Sequence, residues 1–473
     1  MKLTGKLKTK AYYVGGRFLR SRQNEAEICV RDPGDLARIT WNIATHREMI
    51  DRAVEAAVKA LDRFDAAPRS GDWAALLRKL KAQMLNRRQE LARAIATATG
   101  RPLWDARLEV RLSSVLVGEA ADRPPPPAVS DDRYHGRVPL GVLALLSAAD
   151  LPLIQPLSVL LEALPAGNGV ILLPPAHCGP VGFLLAELLH ECDLSSGAFA
   201  LVHGEDEAAQ YLTEHPGVNR ALPPVASGPP EGGATDNDAL VRAGDDLERA
   251  ARATAIGAFL CSGQRRDSLK RIFVEHLAAD EFCDTLVRVT RGLDLGHPLG
   301  DGTVAFFGPM ATAPGRAALV DFAERGPGEA VLEGGVLDRP PAGLWVQPAI
   351  RRIGRDEARP SRVPQGPAVL LLDVERAGQA ITAGRLQPEL RTFTFLGREP
   401  ENKFWTRTVN ARFVGFGITS PGDWLRRAEA GEISLPWERP YATTPVSRPV
   451  RIAEDPRDDP AAGLPGFGKK DAR

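Results

Sequence analysis

The chain has 473 residues, of which 60 are Lys or Arg and 60 are Asp or Glu, so its formal net charge is zero. This balance argues against binding to nucleic acid or to an anionic membrane through bulk charge. With 44% hydrophobic and 25% charged residues, the composition is that of a folded protein of two or three domains. Five cysteines without a Cys-x-x-Cys pair favour reduced thiols, and the N-terminus lacks an apolar signal region, so we expect a cytoplasmic protein.

The N-terminal part predicts a hairpin followed by long helices. Aromatic and β-branched residues flank a Gly-Gly pair within 12–19, which is the pattern of a β-hairpin. Apolar residues recur at helical spacing over 49–61 and again over 76–95, and Gly100 is placed to end the second helix. Four consecutive prolines within 123–128 predict a stiff segment that crosses between lobes.

Buried strands and helices alternate after the prolines. Continuous apolar runs at 138–146, 169–173 and 198–202 are typical of strands covered on both faces. Helices are predicted between them, at 157–164 and 181–191. This alternation predicts a parallel α/β sheet.

A second set of strands and helices is predicted in the C-terminal half. Its predicted helices are 247–260 and 281–291, and its predicted strands are 271–274, 368–372, 392–395 and 413–416. The fold class is therefore α/β throughout.

Four motifs together resemble the aldehyde dehydrogenase superfamily. They are 99–109 (TGRPLWDARLE), 139–142 with 164–170 (PLGV and LPAGNGV), 194–204 (LSSGAFALVHG) and 258–265 (AFLCSGQR). Among its branches, the chain looks most like the succinylglutamate semialdehyde dehydrogenases of arginine breakdown. The resemblance implies two parallel-sheet α/β domains and a small β oligomerisation flap.

The resemblance also implies where these parts lie. A nucleotide-binding-type α/β domain is expected from 1–122 and 140–240, shortened near 223–233, and a catalytic-type α/β domain from 241–434. The flap and tail would be 123–139 and 435–473. Dimers or tetramers are the habit of the family, so a homo-oligomer is expected.

The resemblance implies oxidation of an aldehyde through a cysteine thiolate. This chemistry needs the thiolate to attack the carbonyl, donors to hold the oxyanion, a nicotinamide to accept hydride and a general base to activate water. The position of the family's nucleophilic Cys holds Arg266, after Gly263-Gln264, and a guanidinium is no nucleophile. The oxyanion-binding Asn aligns with Asp150, whose carboxylate would repel an oxyanion. The general-base Glu matches Glu231 only loosely, one position off.

The expected cofactor contacts are also altered. The ribose-binding Lys of the family is Leu173, and the turn that meets the pyrophosphate contains Pro224, which lacks an amide donor. The Glu that holds the nicotinamide ribose aligns near Val363. We therefore expect no cofactor, or NAD(P) if the chain is active after all.

Three functions remain open. The favoured one is a homologue that has lost catalysis and acts as a structural or regulatory subunit, in a homo-oligomer or with an active relative as its partner. The first alternative is an NAD(P)-dependent oxidoreductase of a semialdehyde such as succinylglutamate semialdehyde, with Cys261 as a displaced nucleophile. Cys261 is more simply a buried side chain in the helix before the loop.

The second alternative is a binding protein for an anionic metabolite. The metabolite would be held by a basic cluster of Arg265, Arg266, Lys270 and Arg271, although such a cluster is more often solvated or paired with carboxylates. No metal, nucleic-acid or membrane partner is expected.

Overall fold

A computed structural model describes residues 12–19, 27–44, 46–61, 70–123, 139–194, 197–222, 237–265, 268–300, 305–355, 363–385, 392–396 and 413–416. The strands, in chain order, are β1 (Tyr12–Val14), β2 (Arg17–Leu19), β3 (Glu27–Asp32), β4 (Asp35–Ala44), β5 (Val142–Leu146), β6 (Gly169–Leu173), β7 (Phe199–Leu201), β8 (Arg220–Leu222), β9 (Asn237–Val241), β10 (Arg271–Glu275), β11 (Glu329–Leu332), β12 (Gly335–Val336), β13 (Val346–Gln347), β14 (Ala349–Ile353), β15 (Ala368–Val374), β16 (Thr392–Phe395) and β17 (Phe413–Phe416). The α-helices are α1 (Arg47–Leu61), α2 (Ser70–Asn86), α3 (Arg88–Thr99), α4 (Leu103–Asp122), α5 (Ile154–Ala163), α6 (Gly179–Glu191), α7 (Asp206–Glu214), α8 (Leu247–Phe259), α9 (His276–Arg291), α10 (Ala313–Arg325) and α11 (Ala377–Arg385).

The first sheet has the strand order β2-β1-β7-β6-β5-β8 among the described residues. Strands β5 to β8 are parallel, and the β1–β2 hairpin joins antiparallel through Tyr13 and Leu201. Every residue of β6 and β7 is buried, as expected for strands with helices on both faces. The predicted hairpin and buried strands are confirmed, although β5 begins at Val142 and not at 138.

The second sheet has the strand order β11-β14-β15-β10-β9-β16-β17. Its strands are parallel except for β11. The predicted α/β class with two mainly parallel sheets is confirmed. Strand β9 pairs with β10 in this sheet, in parallel, over Asp238 to Val241.

The long helix predicted over 76–95 is two helices. Helix α2 ends at Asn86 and α3 begins at Arg88, with both apolar stripes buried. Arg87 lies at the break and binds the carboxylates of Glu90 and Glu187 at 2.8 and 2.6 Å. Gly100 ends α3 with a φ of +73°, as predicted.

Helix α4 and the β3–β4 hairpin were not predicted. Helix α4 buries polar side chains such as Asp105, Glu109 and Ser113 together with apolar ones, and this mixture hides its apolar periodicity. The tip of the hairpin joins the two large units, because Leu36 N donates to Ala342 O and Leu344 N donates to Pro33 O. Within the described residues, no helix is both long enough and apolar enough to span a bilayer.

Candidate functional site

The loop that leads to position 266 follows α8. Arg266 itself lies outside the described residues. Helix α8 ends at Phe259, and Cys261, Ser262 and Gly263 then adopt left-handed backbone conformations with φ of 57°, 57° and 62°. The expectation that Cys261 lies in the helix is therefore wrong, because this residue is the first with a left-handed backbone and belongs to the loop. Left-handed conformations cost non-glycine residues about 1–2 kcal/mol each, so surrounding contacts must hold this loop.

Hydrogen bonds from several segments supply these contacts. Ser262 Oγ donates to Gly308 O and accepts from Gly308 N, both at 3.0 Å. Gln264 Oε1 accepts from Ala311 N at 2.7 Å. Gly366 N donates to Gly263 O at 2.8 Å. The loop is thus held by hydrogen bonds from two segments, 308–311 and Gly366.

Cys261 is fully buried in this loop. Burial and a hydrogen bond to the Asp105 carboxylate hold the pKa of its thiol well above the ordinary value. Because the thiolate is the nucleophilic form, this cysteine is unreactive in the observed conformation. The interpretation of Cys261 as a small buried side chain is confirmed.

The other thiols do not lie at this loop. All five cysteines are free, and burial raises the pKa of Cys192 and Cys283 to about 11 and that of Cys178 further. Cys29 is exposed, on the β3–β4 hairpin.

A buried charge network lies behind the loop. Arg101 is 2% exposed and donates from Nε to Asp105 Oδ2 at 2.8 Å and from one terminal nitrogen to Glu109 Oε2 at 2.5 Å. Burial opposes its charge, but the two carboxylates outweigh burial and raise the pKa of Arg101. Glu109 Oε1 also accepts from the backbone N–H groups of Leu153 and Ile154, at the start of α5.

The network brings two of the predicted site positions together. Arg101 donates to the backbone oxygen of Asp150 at 2.9 Å, and Asp105, its ion-pair partner, binds the thiol of Cys261. Asp150 lies in the turn between β5 and α5 and is partly buried. Sequence analysis missed Arg101, Asp105 and Glu109, although Asp105 and Glu109 are four residues apart on one face of α4 and Arg101 precedes this helix.

The predicted basic cluster at 265–271 is not one cationic surface. Lys270 points inward and donates from Nζ to Gly263 O and Gly366 O at 3.0 and 2.7 Å. Arg271 forms a buried ion pair with Asp238 of β9, with Nε 2.7 Å from Oδ1. The electrostatic influence of Asp105 extends to Arg265 in the loop. Successive side chains of an extended chain point to opposite faces of the sheet. Lys270 and Arg271 therefore contact different segments and do not form one cationic surface.

The two described cofactor positions are apolar and buried. Leu173 is 5% exposed at the end of β6, and Val363 is 1% exposed. Neither side chain offers a hydrogen bond to a ribose hydroxyl. Pro224 and Glu231 lie outside the described residues.

Some buried polar atoms near the carboxyl edge of the first sheet lack a partner. Ser147 Oγ follows β5, Gln155 Nε2 is on α5, and His177 Nε2 follows β6, and none of them has a hydrogen-bond partner among the described residues. Buried polar groups usually pair with protein, water or a ligand. Burial also lowers the pKa of His177 to about 4, so this imidazole is neutral near pH 7.

An open cavity lies far from the loop. It has a volume of about 550 Å³ and is lined by residues that include Asp246, Leu247 and Arg288, at the start of α8 and along α9. The loop follows the opposite end of α8, about 20 Å away for a helix of this length. Among the described residues, no group of three or more His, Cys, Asp or Glu is arranged to hold a metal ion.

The profile of the "Aldehyde dehydrogenase family" matches residues 18–221 and 231–383. The chain belongs to the aldehyde dehydrogenase family. The match is interrupted at 222–230, which overlaps the segment near 223–233 that we expected to be shortened.

Curated aldehyde dehydrogenases resemble the chain over most of their length. N-succinylglutamate 5-semialdehyde dehydrogenase of Paraburkholderia xenovorans (strain LB400) is 27% identical over 433 residues, which cover 83% of this chain and 88% of the relative. 2-Aminomuconic 6-semialdehyde dehydrogenase of a Pseudomonas species is 26% identical over 389 residues, covering 73% and 77%. The predicted resemblance to the succinylglutamate semialdehyde branch is thereby confirmed.

Solved aldehyde dehydrogenases share the fold. Gamma-glutamyl-gamma-aminobutyraldehyde dehydrogenase from Burkholderia cenocepacia J2315 has a TM-score of 0.77 at 20% identity and covers 87% of this chain and 88% of its own. A mutant of aldehyde dehydrogenase C from Pseudomonas syringae, complexed with NAD+ and octanal, has a TM-score of 0.76 at 20% identity and covers 87% and 90%.

Proposed function

We propose that this member of the aldehyde dehydrogenase family has lost thiol-dependent aldehyde oxidation and works as a non-catalytic structural or regulatory subunit. The observation that carries the proposal is the chemistry of the loop. Its sequence places Arg266 where the family has the nucleophile, and its own thiol, Cys261, is buried against Asp105. A permanently charged guanidinium cannot attack a carbonyl carbon, and a buried neutral thiol attacks poorly.

The remaining site residues support the same proposal. A developing oxyanion needs hydrogen-bond donors, and the side chain at the expected position is the carboxylate of Asp150. A nicotinamide cofactor is held through its ribose hydroxyls, and the described residues at two such positions are Leu173 and Val363. These side chains do not fit the cofactor.

A non-catalytic subunit acts through its surface. We therefore propose a homo-oligomer, a dimer or a tetramer, or an assembly with an active aldehyde dehydrogenase relative, in the cytoplasm. The division into a nucleotide-binding-type unit, a catalytic-type unit and a flap from 123–139 and 435–473 is part of this proposal.

The alternative function is NAD(P)-dependent oxidation of a semialdehyde. The names of the curated relatives and the NAD+ complex of the Pseudomonas syringae enzyme favour it. The unpaired polar atoms of Ser147 and His177 also favour a ligand at the carboxyl edge of the first sheet. In this alternative Cys261 would be the nucleophile, and the loop would have to expose it. Binding of an anionic metabolite through Arg265 and Arg266, without chemistry, is the third candidate.

An activity assay separates the first two functions. Purified protein is mixed with NAD+ or NADP+ and succinylglutamate semialdehyde or octanal, and reduced cofactor is followed by absorbance. The Paraburkholderia xenovorans relative serves as the positive control. We expect no turnover and no binding of NAD+ by calorimetry. Turnover that is abolished by Cys261→Ser would overturn the proposal and establish the alternative.

A thermal-shift measurement tests the third candidate. Succinate, glutamate, citrate and inorganic phosphate are the probes, and the variant Arg265→Gln is the control. Under the proposed function no probe raises the melting temperature. A shift that disappears in the variant would favour the anion-binding function instead.

A further inference from the structure

Lys270 is a fully buried lysine that forms no ion pair within the part of the chain that the structure describes. It is 2% exposed, and its Nζ lies 3.0 Å from Gly263 O and 2.7 Å from Gly366 O. Gly263 belongs to the strained loop at 261–264, and Gly366 belongs to the segment that contains Val363. One amine thus joins the two segments that meet at the candidate site.

We propose that Lys270 is a positioning residue whose neutral amine latches the loop 261–264 to Gly366, and that protonation of the amine releases this loop. Both carbonyl oxygens have a second, backbone donor, because Gly366 N donates to Gly263 O and Ala368 N donates to Gly366 O. The latch is therefore an addition to a backbone contact that exists without it. The inference concerns the loop alone and holds whether or not position 266 performs chemistry.

The number of donors matches the neutral amine. A neutral amine has two N–H groups, one for each carbonyl, whereas an ammonium has three and would leave one without an acceptor among the described residues. Burial lowers the pKa of Lys270 to about 7. In an open loop the amine would be hydrated, with the ordinary lysine pKa of 10.5.

Burial, and not a neighbouring charge, lowers the pKa of Lys270. The loop contributes Arg265, β9 contributes Asp238 and β10 contributes Arg271, and the last two form an ion pair with each other. Residues 363–367 contain no ionisable side chain. The ionisable thiol of Cys261 in the same loop has the opposite linkage, because burial raises its pKa and opening would therefore be favoured at high pH.

The sign of the pH dependence follows from these values. Between pH 7 and 10.5 the open loop binds a proton that the closed loop does not. The equilibrium constant for opening therefore falls by up to about tenfold for each unit that the pH rises, and it levels off below pH 7.

Hydrogen–deuterium exchange of the full-length protein measures this opening. Exchange of a peptide covering 258–265 is recorded from pH 6.5 to 9.5 and corrected for the intrinsic pH dependence of amide exchange. We expect protection to rise steeply with pH in the wild type. Trypsin cleavage between Arg265 and Arg266, relative to other sites, is the second measurement and should fall over the same range.

Two variants separate the latch from a merely structural contact. Lys270→Met keeps the side-chain length and removes the amine, so protection of 258–265 should lose its pH dependence. Lys59→Met, at an exposed lysine of α1, should keep the wild-type profile. A flat corrected profile in the wild type, or a profile in Lys270→Met equal to that of the wild type, would overturn the proposal. The wild-type profile decides alone if the Met variant does not fold.

Discussion

At the scale of single residues, the candidate site has the polarity of an ion-pair network and not that of an oxyanion site. Arg101 is surrounded by Asp105, Glu109 and the backbone oxygen of Asp150, and each of these groups accepts hydrogen bonds. Acceptors stabilise the arginine but repel a developing negative charge. The buried guanidinium of Arg101 is consequently a structural group, and its removal should lower the free energy of unfolding.

The variant Arg101→Met tests this role. It leaves the carboxyls of Asp105 and Glu109 buried without their cation, and breaking a buried pair in this way costs about 3–5 kcal/mol. We expect a loss of this size in the free energy of unfolding, measured by urea denaturation. Lys59→Met, which breaks only the exposed pair with Glu55, should leave that free energy unchanged. Equal effects of the two variants would contradict the network.

The variant Arg266→Cys tests how many residues separate the chain from activity. It restores a thiol at the nucleophile position but leaves Asp150, Leu173 and Val363 in place. We expect the new thiol to react with iodoacetamide, detected by peptide mass spectrometry, while no reduced cofactor forms from NAD+ and octanal. Dehydrogenase turnover in this variant, but not in the wild type, would show that a single substitution accounts for the proposed loss of activity.

At the scale of elements, the turn between α3 and α4 positions Arg101 in the candidate site. The turn between α3 and α4 carries Arg101, and Gly100 within it adopts a φ of +73°. A Cβ at Gly100 would lie 2.3 Å from Pro309 O, which belongs to the segment that also binds Ser262. The turn and the loop are therefore packed against the same stretch of chain.

We expect Gly100→Ala to destabilise the protein. The left-handed conformation costs about 1–2 kcal/mol for a residue with a Cβ, and displacement of Pro309 adds to this loss. The matched control is Gly378→Ala, in the exposed first turn of α11, where a Cβ would meet nothing within 4 Å. The control should be neutral or slightly stabilising. Thermal unfolding followed by circular dichroism compares the two variants, and a melting temperature unchanged by Gly100→Ala would refute this packing argument.

At the scale of the whole molecule, contacts between the two sheet-containing units surround the candidate site. The hairpin tip near Pro33 binds the segment 342–344, and Gly100 lies against Gly308 and Pro309. Arg101 reaches from the α3–α4 turn to the β5–α5 turn. The site thus depends on docking of both units, and a protein without catalysis would still require this docking in order to present a defined surface.

The proposed oligomer is tested at this scale. Light scattering on the eluate of a gel-filtration column should give two or four times the chain mass of 51.0 kDa. Co-expression with the Paraburkholderia xenovorans relative, with a tag on that relative alone, tests for a mixed assembly. A mass equal to one chain at micromolar concentration, without co-purification of the relative, would contradict both forms of the proposal.

The sequence by itself determined the α/β class, most buried strands and the family. Continuous apolar runs such as 169–173 and motifs such as 258–265 are local signals that survive without knowledge of the partners. It also predicts that Arg266 and Asp150 stand at positions where the family chemistry needs other side chains, and this remains a prediction.

Only the tertiary structure decided how the charged residues are used. The direction of Lys270 toward two carbonyl groups, the pairing of Arg271 with Asp238 and the burial of Cys261 against Asp105 all depend on segments distant in the chain. Sequence periodicity reports the face of an element on which a residue lies. It does not report which segment packs on that face, and the packed segment decides whether a charge is solvated, paired or neutralised.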